Sequence, residues 1–559
     1  MNRQLFFAVV VASFTTISVW GRSPHKMSKD LIDAEPGSVS DVIVQFRENV
    51  TQRHLDKARR NGGSLKKRLD QINGGVFRIS ATAIDELSDD PEVLYISPDR
   101  TVTGTSNIER QSIGASYAEL NGWTGSGIGV AVIDSGVDGK DGMALGKSVV
   151  YSQSFVAGTT DPKDYYGHGT HVAGIIASNG ALSGGLYKGL ATGVKIINLR
   201  VLDANAKGTD SQVIAAIQRA IALKSTFNIR VINLSLGRPV FESYKLDPLC
   251  KAVEQAWMAG IVVVTAAGNE GRNNTFGNNG YGTIGAPGND PYVITVGAVK
   301  SAGTVSRTDD RLASYSSKGP TLFDHVVKPD LVAPGNRVIS LKLNSDSLME
   351  SQYPSNEVNN DYFILSGTSM ATPMVSAAVA ILLQKQPTLK PDQVKARLMK
   401  TASKSFPGSS FAIDPITGKS FKSYYDIFSI GAGYVDLQAA LANNDSLSGN
   451  ALSPVVVYNA AADRGSLAFT SGSGIGGLNV VWGTSVVWGQ NVVWGDNVVW
   501  GDNVVWGDSV VWGESTQTGN NTGNTTANGF NVVWGDKAVW GTSTQTAAEA
   551  VGVAINGEN

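Results

Sequence analysis

Short runs rich in β-branched residues alternate with helix-like segments from about Tyr117 to Ala442, and this restricts the fold more than any other feature of the chain. The runs are Val130–Ile133, Lys195–Leu199, Val231–Leu234, Ile261–Ala266 and Tyr292–Val296. Helical patterning marks Thr170–Ala177, Ser211–Lys224, Leu249–Ala259, Thr368–Lys385 and Pro391–Thr401. Apolar strands bounded by glycine and separated by helices are buried on both faces, so an α/β fold with a mainly parallel central sheet is expected. Such sheets take ligands outside the carboxyl ends of their strands, and polar residues at those ends therefore carry most weight.

At 559 residues the chain is too long for one compact core, and several units are expected. A formal charge of −2 gives no basic face for nucleic acid and no acidic solvating tail. The single cysteine, Cys250, excludes an internal disulfide framework, and 5 scattered histidines leave little for a histidine-rich metal cluster. No cofactor is required by this composition; the chemistry is expected to rest on side chains alone.

Residues 1–21 read as an export signal, with Arg3 before an apolar run over Leu5–Ala12 that continues through Phe14, Ile17, Val19 and Trp20. Small residues at Ala12, Ser13 and Gly21 offer cleavage positions, and an uncleaved membrane anchor is the other reading. A secreted or cell-envelope protein is expected either way. After a spacer over 22–40, residues 41–105 form a small unit. Strands at Val42–Phe46, Gly75–Ile79 and Val93–Ile96 and helices at His54–Gly62 and Ala83–Asp90 point to a ferredoxin-like β-α-β-β-α-β order. Thr101–Asn107 then reads as a linker into the α/β body, residues 106–445. The remainder, 446–559, carries a hexapeptide repeat over Asn479–Gly513 built on Val-Val-Trp-Gly, and 8 of the 11 tryptophans lie in this tail.

Three stretches of the body carry chemistry. Val130-Ala-Val-Ile-Asp134-Ser-Gly delivers a carboxylate at the end of an apolar strand; alone, Asp134 reads as a turn residue. Gly167-His168-Gly-Thr-His171-Val-Ala-Gly starts an apolar helix with a histidine. Its two histidines lack the spacing and the glutamate of a zinc-binding HEXXH helix. Ser366-Gly-Thr-Ser369-Met-Ala-Thr-Pro begins another helix, where a serine is ordinarily a cap. A serine hydroxyl needs a histidine to take its proton, and that histidine needs a carboxylate to fix its tautomer, so the three together outweigh their separate readings. A fourth stretch, Val262-Val-Val-Thr-Ala-Ala-Gly-Asn269-Glu-Gly, presents an asparagine on a glycine loop after a strand, a place that also suits a turn.

These blocks, in the order Asp, His, Ser, resemble the signature blocks of subtilisin-like serine proteases over about Ile113–Ala442. Phrases such as Asn228-Ile-Arg-Val-Ile-Asn-Leu-Ser-Leu-Gly and Val327-Lys-Pro-Asp-Leu-Val-Ala-Pro-Gly resemble the AprX-like branch. The resemblance implies a three-layer subtilisin-like fold, with Ser369 the nucleophile, His168 the general base, Asp134 its partner and Asn269 the oxyanion donor. It further implies substrate-binding walls at Ser235, Leu236 and Gly237 and at Ala267 and Gly268, with Gly285 on the floor of a pocket for a large apolar P1 side chain. Lys207–Gly208 would pair with substrate as an added strand. His171 and Cys250 become buried structural residues. Residues 41–105 resemble the family's inhibitory prodomain, an intramolecular partner cut near Thr103–Asn107; a permanent docking domain is the alternative.

Calcium is common in the family as a structural ion. Here Asn179–Lys188 is longer and richer in glycine than the usual calcium loop, and Asp203, Asp309 and Asp310 show no EF-hand spacing, so no metal ligands are named. For the tail, a β-solenoid, an aromatic stripe for carbohydrate or cell-surface contact, and a flexible segment are all open. Polypeptides are the expected substrates. The rival is an inactive protease fold serving as a binding scaffold through its tryptophan-rich tail; an esterase would show a G-x-S-x-G elbow, which Gly-Thr-Ser369-Met-Ala is not.

Overall fold

The computed structural model describes residues 26–28, 39–99 and 108–475 with short interruptions, together with Leu31, Val487–Trp488, Val492–Val493 and Glu558. The signal-like residues 1–21, the linker over 100–107 and most of the tryptophan repeat lie outside the described residues. The chain divides into two compact units, Met1–Thr103 and Gly104–Asn559.

The first unit runs β1 (Val39–Phe46), α1 (Gln52–Arg60), β2 (Ser64–Leu69), β3 (Gly74–Ser80), α2 (Ala81–Ser88) and β4 (Val93–Pro98). Its strands form one sheet in the order β2-β3-β1-β4, with every neighbouring pair antiparallel. Val42, Val44, Phe46, Phe77, Ile79 and Ile96 point to one face and are buried with Leu55, Ile84 and Leu87 of the helices. The period of two along the strands and the amphipathic helices together make that core. Ser80 caps α2 by accepting from the Ala83 N–H at 3.4 Å.

In the second unit the central strands are β5 (Gly129–Asp134), β6 (Val149–Ser154), β7 (Lys195–Arg200), β8 (Ile229–Leu234), β9 (Val262–Ala266), β10 (Ile294–Lys300), β11 (Arg311–Leu312) and β12 (Leu331–Pro334). They form one eight-stranded sheet in the order β11-β10-β9-β8-β5-β7-β6, with β12 also paired to β10. Only the β10–β11 pair is antiparallel. Every residue of β5 and of β9 is buried, as a parallel strand covered on both faces must be.

Five helices matter for the site: α3 (His168–Ala177), α4 (Asp210–Ala222), α5 (Pro248–Met258), α6 (Thr368–Lys385) and α7 (Pro391–Thr401). Helix α6 packs against α3 and against β8, β9, β10 and β12. It is buried almost all round, from Met370 to Leu383, which explains a sequence apolar on every face rather than on one stripe. A small antiparallel sheet of β13 (Val338–Leu341), β14 (Glu357–Asn359) and β15 (Tyr362–Leu365) packs against α3 through β13. The chain enters the large sheet at β5, places β7 on one side of it and β8 on the other. That reversal opens a crevice at the carboxyl ends of β5 and β8. No helix among the described residues is long and apolar enough to cross a membrane.

Candidate active site

Asp134 is the last residue of β5, and its side chain is fully buried. One carboxylate oxygen, Oδ1, accepts from the Ser135 N–H at 2.7 Å and meets His168 Nδ1 at 2.8 Å. Its Oδ2 has no hydrogen-bond partner among the described residues. With a carboxylate accepting at Nδ1, the imidazole carries its proton there and leaves Nε2 as a free base. Burial works against a charge on His168, but the Asp134 carboxylate, the hydrogen bond to it and the Asp164 carboxylate outweigh burial and raise its pKa.

What brings α3 onto the Asp134 turn is close backbone packing. A Cβ on Gly169 would lie 2.1 Å from the Gly136 carbonyl oxygen, so only glycine fits there. The helix start is held by Asp164, which is 5% exposed. Its Oδ1 accepts from Ser135 Oγ at 2.9 Å and from the N–H groups of Tyr166 and Gly167 at 3.0 and 2.8 Å. Its Oδ2 accepts from the Thr170 N–H at 2.9 Å and the Thr170 hydroxyl at 2.7 Å. Ser135 Oγ in turn accepts from the Gly169 N–H at 2.9 Å. Burial pushes the Asp164 carboxyl up while the bonds from Gly167, Thr170 and Ser135 pull it down, and burial prevails. Sequence reasoning missed Asp164: an acidic residue four before a histidine carries no signal until the turn closes.

Ser369 is the second residue of α6 and half-buried. The helix enters through Gly367 at φ +142, a conformation L side chains rarely adopt, and a Cβ there would sit 3.3 Å from Asn269 Nδ2. Asn269 follows β9, and its Oδ1 accepts from the Thr368 N–H at 2.9 Å and the Thr368 hydroxyl at 3.1 Å. That anchors the carbonyl end and leaves the Nδ2 amide as the available donor. The Ser369 N–H, in the first turn, has no intrahelical acceptor.

The Ser369 hydroxyl donates to the Ser235 carbonyl at 3.1 Å rather than to His168. Reaction with His168 as base therefore requires rotation of the serine side chain; such bonds commonly tighten only when substrate is bound. Ser235 Oγ donates to the Ser369 carbonyl at 2.9 Å. That carbonyl is available because Pro373, four residues on and inside the helix, has no N–H to offer it. Asn233 Nδ2 donates to Ser235 Oγ at 3.0 Å, and the Ser376 hydroxyl donates to Asn233 Oδ1 at 2.8 Å. Asn233 and Ser376 are fully buried and were not expected to bear on the site.

The two expected substrate walls and the floor between them are joined by backbone hydrogen bonds. Arg238 N and Ala286 O pair at 3.0 Å, and Ala286 N and Arg238 O at 2.8 Å, which binds the segment after Ser235, Leu236 and Gly237 to the one after Gly285. Gly285 N donates to Ala267 O at 3.1 Å and joins the floor to the second wall, Ala267 and Gly268. At Lys207–Gly208 the Lys207 carbonyl accepts from Asp203 N at 2.9 Å within a turn. His171 is buried, and its Nε2 lies 3.1 Å from both the Val338 and Phe363 carbonyls. Burial holds its pKa down at about 3, so it stays neutral and ties β13 to β15. Cys250 is buried, its thiol donating to Asn289 Oδ1 at 3.4 Å, and burial pushes its pKa far up.

No group of three or more His, Cys, Asp or Glu side chains among the described residues could hold a metal ion. Asp203 accepts from the Asn205 and Lys207 N–H groups, Asp309 from the Thr304 hydroxyl, and Asp310 from the Ala302 N–H. Asp203 thus holds the 203–207 turn, while Asp309 and Asp310 both hold the 302–310 loop.

Comparison with known proteins gives the family. The subtilase (peptidase S8) family profile matches residues 125–419, more than half of the chain. The chain belongs to the subtilase family. Among curated relatives of this subtilase, the serine protease AprX of Bacillus subtilis (strain 168) is 35% identical over 379 residues, covering 65% of this chain and 83% of AprX. Subtilisin E of the same organism is 33% identical over 411 residues, covering 71% of this chain and 89% of subtilisin E. The solved structure of sphericase aligns with a TM-score of 0.43 at 29% identity, covering 56% of this chain and 93% of that one. The molecule is thus a subtilisin-family serine protease with a mainly parallel central sheet.

Proposed function

We propose that this subtilase is an exported endopeptidase that cleaves polypeptides through an acyl-enzyme formed on Ser369. The observation that carries the reading is the 2.8 Å bond between buried Asp134 and His168 Nδ1, set at the crevice beside the Asn269–Thr368–Ser369 corner. His168 Nε2 takes the hydroxyl proton as Ser369 Oγ attacks the scissile carbonyl, and Asp134 stabilises the imidazolium that results. Asn269 Nδ2 and the Ser369 N–H face the oxyanion, aided by the positive end of α6. His168 then gives the proton to the departing amine, and water repeats the sequence on the acyl-enzyme. The closely paired segments at Ser235–Gly237, Ala267–Gly268 and Gly285 support a P1 pocket, for which a large apolar side chain is the proposed preference. No cofactor enters these steps.

The β-α-β-β-α-β unit over Val39–Pro98 supports the role of a prodomain that is removed near Thr103–Asn107 by the enzyme itself. Purified wild type and Ser369→Ala, each incubated with unfolded casein and then sequenced from the amino terminus, test the whole reading. Wild type is expected to digest casein and to begin near Thr103–Asn107, while the variant does neither. Casein cleavage by Ser369→Ala at the wild-type rate would overturn the nucleophile; inactivity of both would favour a binding scaffold.

A further inference from the structure

Behind the Asn269 loop, one residue from far along the chain is held in a built socket. The Glu558 side chain is only 4% exposed. Its Oε1 accepts from Arg272 Nη2 at 2.9 Å and from the Ser314 N–H at 2.8 Å, and it also bonds the Ser314 hydroxyl. The backbone is read as well: Glu558 N donates to Asn336 Oδ1 at 2.8 Å, and Asn336 Nδ2 donates to Glu558 O at 3.0 Å. Arg272 is braced on its other side by Asp414 at 2.8 Å and lies 4.5 Å over the Phe421 ring. Side chain and backbone of Glu558 are thus both bonded, by residues from three separate segments, and the pair with Arg272 is charge-assisted.

The three residues that hold Glu558 adjoin the corner where the oxyanion donors sit. Arg272 lies three residues after Asn269 in the same loop. The strip that begins at Ser314 backs that loop: Gly271 N donates to Tyr315 O at 2.8 Å and Ser317 N to Gly268 O at 2.9 Å, while Ser317 Oγ receives the Glu270 N–H at 3.0 Å. Asn336 follows Gly335, whose carbonyl accepts from Gly367 N at 2.8 Å at the entrance to the serine helix.

We infer that Arg272, Ser314 and Asn336 form a docking site for an acidic peptide segment, filled by the chain's own Glu558, and that filling it fixes the Asn269 loop from behind. The tail is thereby attached to the catalytic unit on both sides of the tryptophan repeat, at buried Ile475 before it and at Glu558 after it. The kinetic part of this inference rests on the oxyanion role given to Asn269 above.

The test is amide hydrogen exchange on the full chain with Ser369→Ala, which prevents self-digestion, with and without Glu558→Ala. Glu558→Ala is expected to speed exchange of the Ser314 amide by roughly tenfold, the factor for one charge-assisted bond of ordinary net strength. Exchange at Gly268–Arg272 should rise with it, while α3 stays unchanged. In the active enzyme, Glu558→Ala should lower kcat several-fold with little change in KM, and Glu558→Gln should fall between. Unchanged exchange at Ser314 would overturn the docking. Faster exchange with unaltered kcat would overturn the coupling to catalysis; Asn269→Ala then separates the two readings, since its wild-type kcat would remove the oxyanion role while leaving the docking in place.

Discussion

At His168 two opposing effects meet, burial against the charge and two carboxylates for it, and the carboxylates win. The neutral ring is the working base, so the acid limb of kcat/KM should have its midpoint above about 6.5, the ordinary imidazole value. Because folding raises this pKa, the same group contributes stability fully below the unfolded value and loses it as pH rises through the folded one. Asp134→Asn removes the nearer charge and leaves burial dominant. It should move the acid limb to lower pH and reduce kcat by on the order of 10⁴. A pH–rate profile of wild type and variant checks both, and an unmoved limb would mean that another group sets it. The sequence marked Asp134, His168, Ser369 and Asn269 because Asp134 ends a strand, His168 and Ser369 lie at helix starts and Asn269 follows a strand on a glycine loop, each in a recognisable block. Asp164, Asn233 and Thr368 were not, because their work is to hold backbone and side chains from other segments, and those meet only after folding.

Among the elements, α3 and α6 carry the reactive side chains on starts that would not form unaided. Neither N-cap, Gly167 or Gly367, supplies a side-chain cap. Asp164 takes that task for α3, and Asn269 takes it for α6. Asp164→Ala leaves the Ser135 hydroxyl and the N–H groups of Tyr166, Gly167 and Thr170 without their acceptor. Urea unfolding in the Ser369→Ala background should show a loss of more than about 3 kcal/mol, with Asp164→Asn in between; a loss below about 1 kcal/mol would mean that water replaces the carboxylate. The sequence located the core strands to within a few residues and the α6 and α7 boundaries without error, since apolar runs and the Pro391 start are local signals. It did not place β2, Ser-Leu-Lys-Lys-Arg-Leu, because this edge strand turns only Leu65 and Leu69 partly inward and so has no apolar alternation to read. The Gln386-side end of α6 and the Ser369 start were both marked in the chain; the freed Ser369 carbonyl behind Pro373 was not.

Across the whole catalytic unit, distant segments are joined by buried charge. Asp330 lies between Lys328 Nζ at 2.7 Å and Lys395 Nζ at 3.2 Å, all three side chains fully buried. Lys395 also reaches the Pro291 carbonyl and Ser453 Oγ, at 2.7 and 2.8 Å, which joins α7 and the turn before β10 to the segment beyond residue 450. Burial pushes the Asp330 carboxyl up, but the two ammonium groups and the Ser453 hydroxyl bring it below its ordinary value. Its contribution to stability is therefore present above the unfolded carboxylate pKa and fades as pH falls through the folded one. Asp330→Asn strands two buried cations and should cost about 3–5 kcal/mol in denaturant unfolding; a near-neutral variant would show that the lysines deprotonate or find other acceptors. The central claim for the molecule is that Ser369 is made nucleophilic by His168 and Asp134. Its most direct test is labelling with a small organophosphonate followed by peptide mass mapping. Wild type should carry one adduct, on Ser369, and Asp134→Asn should label far more slowly; an adduct on any other residue, or equal labelling of the two proteins, would contradict the account.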